Sequence, residues 1–99
     1  MNNRYEIFEY IYRGDVPRSR NTRIGVLVAK NVQGEVKFGW SRCNVDAGDT
    51  FNHVEGFEQA LKNLGKPLPI SFSRRKQINN FRARAARYFQ NLPIPTWNY

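Results

Sequence analysis

Polar and apolar positions alternate most cleanly between residues 35 and 41. Val36, Phe38 and Trp40 fall on one side there, and Glu35, Lys37, Gly39 and Ser41 on the other. A period of two predicts a half-buried antiparallel strand. Upstream, residues 22–30 (TRIGVLVAK) form a β-branched run with Ile24, Val26 and Val28 as inner positions. Asn31-Val32-Gln33-Gly34 reads as the hairpin connection, with Gly34 available for a positive φ. Residues 5–12 (YEIFEYIY) are aromatic and β-branched, which suits a pleated surface. Their apolar side chains occupy both faces: Tyr5, Ile7 and Ile11 on one, Phe8, Tyr10 and Tyr12 on the other. Such a strand needs cover on both sides, from its own helices or from another subunit. The pairs Ile7/Ile11 and Phe8/Tyr12 would also suit a helix. Residues 13–23 read as a loop broken by Gly14-Asp15 and Val16-Pro17, and residues 42–45 allow a short fourth strand.

Beyond the turn at Ala47-Gly48-Asp49 the period lengthens to that of a helix. Asn52, with Glu55 three residues on, makes a capping-box-like start. Val54, Phe57, Leu61 and Leu64 then recur at spacings of three and four. Gly65 is placed to end this helix in a left-handed conformation, and Pro67 and Pro69 prevent its continuation. Ser71 or Ser73 caps a second helix, whose buried stripe is Ile78, Phe81, Ala85, Tyr88, Phe89 and Leu92. Pro93 and Pro95 stop it. The pattern predicts one α+β domain over residues 1–99. An antiparallel sheet of three to four strands (5–45) is followed by two C-terminal α-helices (52–64 and 73–91) packed on one face. A proline-rich tail (93–99) carries Trp97 and Tyr99.

Hydrophobic residues make up 40% of the 99 residues and aromatics 14%, enough for one core and too many for a disordered tail. No apolar run approaches the roughly 18–20 residues of a membrane span, and the Met1-Asn2-Asn3-Arg4 start is expected not to be a secretory signal. The single cysteine, Cys43, predicts no internal disulfide and suits a reducing compartment, so a cytoplasmic protein is expected. With His53 the single histidine, neither a metal site nor a cofactor is expected.

Charge changes the picture more. All eight acidic residues lie within residues 1–58, where eight Lys/Arg balance them. Residues 59–99 hold Lys62, Lys66, Arg74, Arg75, Lys76, Arg82, Arg84 and Arg87 with no acid, which accounts for the formal net charge of +8. A surface of one sign attracts phosphates over a Debye length. On a helical projection Arg82 and Arg75 flank one side of the second apolar stripe, Arg84 flanks the other, and Lys76 and Arg87 point away from it. Arg74, Arg75 and Lys76 occupy the first turn, where cations oppose the helix dipole, and no acid stands at i+3 or i+4 to offset them. An anion at that end would meet backbone N–H groups and cations together. Candidate phosphate-binding residues are therefore Arg74, Arg75, Lys76, Arg82, Arg84 and Arg87, with Arg18, Arg20 and Arg23 of the arginine-rich loop added. This assignment requires guanidinium groups that are not matched by carboxylates from the front half.

Signals for catalysis are weak. Cys43 and His53 could be drawn as a dyad, but a lone Cys is commonly a core residue and His53 starts an amphipathic helix. Asp46 and Asp49 fit turn hydrogen bonding, and Gly34 and Gly39 match no phosphate-loop spacing. No catalytic residue is assigned, and an enzyme is not expected. Phe72, Phe81, Tyr88, Phe89, Trp97 and Tyr99 lie among the bases and could stack nucleobases. Phe81, Tyr88 and Phe89 are expected in the core instead. Helix-turn-helix, double-stranded-RNA, zinc-finger and RNP patterns are not matched.

The run Ile24-Gly25-Val26-Leu27-Val28-Ala29, followed by residues 34–44 (GEVKFGWSRCN) and Asp49-Thr50-Phe51, resembles small tailed-bacteriophage proteins that close with an arginine-rich helix ending like Arg87-Tyr88-Phe89. The order of strands and then two helices is also similar to the anti-Thoeris nucleotide-sponge family. That resemblance implies an oligomeric phage protein that sequesters a cyclic nucleotide signal in the host cytoplasm, and it assigns no individual residue. Three functions are left open. The first is non-enzymatic binding of such an anionic nucleotide by a homo-oligomer. The second is DNA or RNA binding through backbone phosphates. The third is a basic inhibitor docked on an acidic face of a host protein. None involves a membrane.

Overall fold

The ten-residue strand Arg23–Val32 (β2) lies at the centre of a three-stranded antiparallel sheet, between Glu6–Tyr12 (β1) and Glu35–Arg42 (β3). Two helices follow, His53–Lys62 (α1) and Arg75–Tyr88 (α2). This computed structural model describes residues 6–14, 17–19, 22–43, 51–67, 75–90 and 92–95. Within them no helix is long and apolar enough to cross a membrane. The α+β order agrees with the sequence pattern, as do the three strands. Arg42 closes β3, and residues 44 and 45 of the expected fourth strand lie outside the described residues.

The β2–β3 hairpin turns at Gln33-Gly34, both with positive φ (54° and 86°), the geometry whose twist matches the flanking strands. Asn31 fixes the turn by accepting from the Gly34 N–H at 2.9 Å. Between β1 and β2 the register slips at Ile11/Tyr12, where Ile11 faces Gly25 but Tyr12 faces Arg23. Ile24 is the extra residue of this bulge, which locally breaks the alternation.

Neighbouring side chains of a strand point to opposite faces, and β2 is buried on both. Leu27 and Ala29 join Ile7, Ile11, Val36 and Phe38 beneath Ile78, Phe81, Ala85 and Phe89 of α2 and its C-terminal extension. Val26 and Val28 lie on the other face with Ala60 of α1, flanked by Tyr10, Phe51, Phe57, Leu61 and Leu64. The two helices thus take opposite faces, not the single face expected. The slip moves Ile24 into the α2 core, away from Val26 and Val28. Of the apolar side chains of β1, Ile7 and Ile11 are buried under α2, whereas on the other face Tyr10 packs into the α1 cluster and Phe8, edge-on to Phe57, stays 43% exposed.

The helices are held differently. α2 inserts large side chains, and burying a residue such as Phe81 or Ile78 stabilises by roughly 1.5–3 kcal/mol each. α1 approaches closely through small ones. A Cβ on Gly39 would collide with the Ala60 carbonyl, and one on Gly56 would lie 2.8 Å from the Phe51 ring. The sheet-facing line of α1 is therefore Gly56, Ala60 and Asn63, offset from the expected stripe. Val54, assigned to that stripe, is 52% exposed. Tyr88, expected in the α2 core, is 42% exposed, with its ring edge-on to Phe89 at 4.9 Å. Asn52 caps α1 as expected, its Oδ1 accepting from Val54 and Glu55 N–H at 2.9 and 3.1 Å. Gly65 adopts φ 82° after the helix, and its N–H donates to the outward Phe38 carbonyl of β3. Asn63 Nδ2 donates to the next outward carbonyl, that of Trp40, at 2.8 Å. The expected caps Ser71 and Ser73 and the tail residues Trp97 and Tyr99 lie outside the described residues.

Gly39→Ala is expected to destabilise the protein by about 2–3 kcal/mol in urea unfolding, because backbone on both sides must separate. Asn52→Ala should cost about 1 kcal/mol through loss of the cap.

Candidate functional site

Antiparallel pairing brings three strand termini to one end of the sheet. Tyr12 of β1 lies across from Arg23 of β2, and Gly25 lies across from Arg42 of β3. Arg13 N–H donates to Thr22 O, and Cys43 N–H donates to Ile24 O, extending the ladder past both strand ends. Both helices begin toward this end. α2 passes β1 with Gln77 at Tyr10 and Arg84 further back at Phe8. α1 starts beside Phe51, whose ring meets that of Tyr10 edge-on at 6.2 Å, and reaches Gly39 with Ala60. The positive ends of two helix dipoles thus point the same way.

Arg13, Arg18, Arg23, Arg42, Arg75 and Lys76 gather at this end. Among the described residues two acids stand near this end: Glu55, in the first turn of α1, and Glu9, which accepts from Gln77 in the first turn of α2. Glu6 and Glu35 stand at the opposite end, across from Lys30 and Val32. Glu9 faces α2, and Glu58 is a turn further along α1. Asp15, Asp46 and Asp49 lie outside the described residues. Two of the arginines lie over tyrosine rings. The Arg23 Cζ is 3.9 Å from the Tyr10 centroid, and that of Arg18 is 5.3 Å from the Tyr12 centroid. The rings belong to an edge-to-face ladder of Phe8, Tyr10 and Tyr12. Stacking uses the guanidinium face, at a gain of about 0.5–2 kcal/mol, and leaves the in-plane donors that reach solvent for other acceptors; the Arg23 Nε is buried and has no partner. Arg23 is half-buried and Arg18 exposed.

Of the candidate residues named from the sequence, Arg18, Arg23, Arg75 and Lys76 meet at this end. Arg82, Arg84 and Arg87 do not. Arg82 Nε and Nη2 donate to the Pro95 carbonyl at 3.2 and 3.1 Å, tying the tail to α2. Arg84 Nη1 donates to the Phe8 carbonyl at 3.2 Å and lies 3.8 Å from Glu9 Oε1. Gln77 Nε2 donates to the Tyr10 carbonyl and to Glu9 Oε2. Gln77 and Arg84 therefore close the outward carbonyls of edge strand β1, a position otherwise open to another strand. Arg87 is exposed in the last turn, where the dipole favours a cation. Arg20 and Arg74 lie outside the described residues. The helix lacks acids of its own, but β1 supplies one to Arg84. Arg42 escaped the sequence reading, because only the strand register places it near Arg23.

Two clefts lined by described residues border the sheet. One of about 640 Å³ lies between the β3 edge at Val36 and Phe38 and the tail at Pro93, Ile94 and Pro95. The other, about 390 Å³, lies between Ser41, Arg42 and Cys43 of the β3 end and Phe51, Glu55 and Gln59 at the start of α1. Neither is lined by an α2 arginine. Ser41 is 4% exposed, and its Oγ has no hydrogen-bond partner. A buried hydroxyl left so costs about 1–3 kcal/mol. His53 is exposed, and among the described residues no three His, Cys, Asp or Glu side chains group as metal ligands.

No protein-family model matches the chain, and no curated protein or solved structure is detectably similar to it.

Arg84→Ala should lower stability by no more than about 1 kcal/mol in urea at low salt, because the pair with Glu9 is half-exposed. The difference should shrink in 1 M salt (roughly a 3 Å Debye length).

Proposed function

We propose that the protein is a non-enzymatic nucleic-acid-binding protein that holds backbone phosphates at the end of the sheet where both helices begin. The observation that carries this is the convergence there of Arg13, Arg18, Arg23, Arg42, Arg75 and Lys76, supplied by the β1–β2 loop, β2, the end of β3 and the first turn of α2. Phosphate neutralisation needs several cations spread over an accessible surface, and most of these are exposed. Sequestering a small cyclic nucleotide, the function implied by the phage-family resemblance, calls for an enclosed basic cavity. Two of the candidate arginines of α2 are engaged within the chain: Arg82 holds the tail and Arg84 the edge of β1. An open basic end suits an extended polyanion better than a small enclosed ligand.

Binding of a fluorescent single-stranded oligonucleotide across a salt series tests the proposal. Affinity should fall with a log–log slope of about −0.7 per neutralised phosphate. Arg18→Glu combined with Lys76→Glu should weaken binding at least tenfold, by about 1.4 kcal/mol or more, and flatten that slope. Arg82→Ala should change it little. Binding that is absent or insensitive to salt would overturn the proposal. A thermal shift with a cyclic dinucleotide and no oligonucleotide binding would favour sequestration instead.

A further inference from the structure

We propose that the cleft of about 390 Å³ between β3 and α1 accepts a nucleobase of the bound single strand, and that it favours bases bearing an exocyclic amine. This rests on the nucleic-acid reading above and assigns a second role beside phosphate holding. The cleft opens at the basic end, and Arg42 lines it. Its remaining walls differ from that surface in kind.

Phe51 gives an apolar wall against which a base can pack, and its ring is kept in place by Tyr10 and by the backbone of Gly56. Any side chain at residue 56 would press on that ring, so the glycine keeps the wall upright. Gln59 offers an amide donor and acceptor, and Glu55 offers a carboxylate, the group that accepts from a base amine. Ser41 lies beneath them on the α1 side of β3, the face shared with Gly39, and its buried Oγ lacks a partner. A hydroxyl that can both donate and accept is matched by a heteroaromatic edge, which presents both functions side by side.

Other occupants fit less well. A phosphate would meet the Glu55 carboxylate. Among the described residues a metal ion would find one carboxylate in the lining and no cluster of three ligands. An alkyl chain would bury Ser41, Glu55 and Gln59 without hydrogen bonds. A water molecule could satisfy Ser41, but it would confer no preference among nucleic acids.

The test uses oligonucleotides of about twelve nucleotides, within the span of common single-strand binders. Oligodeoxycytidylate, oligothymidylate and an abasic oligomer of the same length are compared by fluorescence anisotropy at one salt concentration. The wild-type chain should bind the cytidylate at least fivefold tighter than the thymidylate and at least tenfold tighter than the abasic oligomer. Gln59→Ala and Ser41→Ala should each reduce the preference over the abasic oligomer to less than threefold, leaving abasic binding and the salt slope unchanged. Circular dichroism and urea unfolding check that both variants fold. If either is unfolded, Gln59→Met, an exposed change of similar size on the same wall that removes both the amide donor and the acceptor, takes its place and should also remove the preference for cytidylate. Equal binding of all three oligomers by the wild-type chain would overturn the cleft assignment while leaving the basic end intact. A preference that survives all the variants would do the same. Failure to bind any oligomer would overturn the phosphate reading itself.

Discussion

A central strand with no polar face sets the plan of this molecule. Six consecutive residues of β2, from Ile24 to Ala29, are buried, and no single layer of helix can cover both sides of a sheet. Water must be excluded twice, which places one helix above and one below. The means differ because the space differs. On the α2 face Leu27, Phe38 and Phe81 fill a deep core. On the α1 face Gly39 and Ala60 let backbone lie almost on backbone. The order of elements in the chain and their positions in space then follow from one apolar run.

The same architecture redistributes the positive charge. Along the chain the bases are densest in α2, yet their side chains radiate in three directions. Arg84 is drawn to a carboxylate on β1, Arg82 to a tail carbonyl, and Arg87 to solvent at the far end. The surface that remains basic is assembled from strand ends that are distant in sequence and adjacent in space. Anion attraction depends on this surface grouping and not on linear density.

Much of the fold could be read in advance because its signals are local. Gly34 at the hairpin, Asn52 at the start of α1 and Gly65 beyond its end each answer a backbone requirement within a few residues. The division of the helices between faces was written in the unbroken run from Ile24 to Ala29, but the alternation of β3 suggested a sheet with one wet side. Gly39 looked like an outward polar position, and it proved to be the seat of a helix. Of the candidate site, the cationic residues of the β1–β2 loop and of the first turn of α2 could be named. Their meeting place could not, since it depends on the register of Gly25 with Arg42 and on the packing of α2 along β1. The pairing of Arg84 with Glu9, separated by more than seventy residues, carries no local trace.

The treatment of the sheet margins has a consequence for behaviour in crowded solution. On one margin Gln77 and Arg84 occupy the carbonyls of Tyr10 and Phe8; on the other, Asn63 and Gly65 occupy those of Trp40 and Phe38. A neighbouring molecule seeking to lengthen the sheet would have to displace two donors on either margin to reach those carbonyls. Ribbon-like polymerisation is therefore opposed along both directions of growth, and a formal charge of +8 adds mutual repulsion between copies.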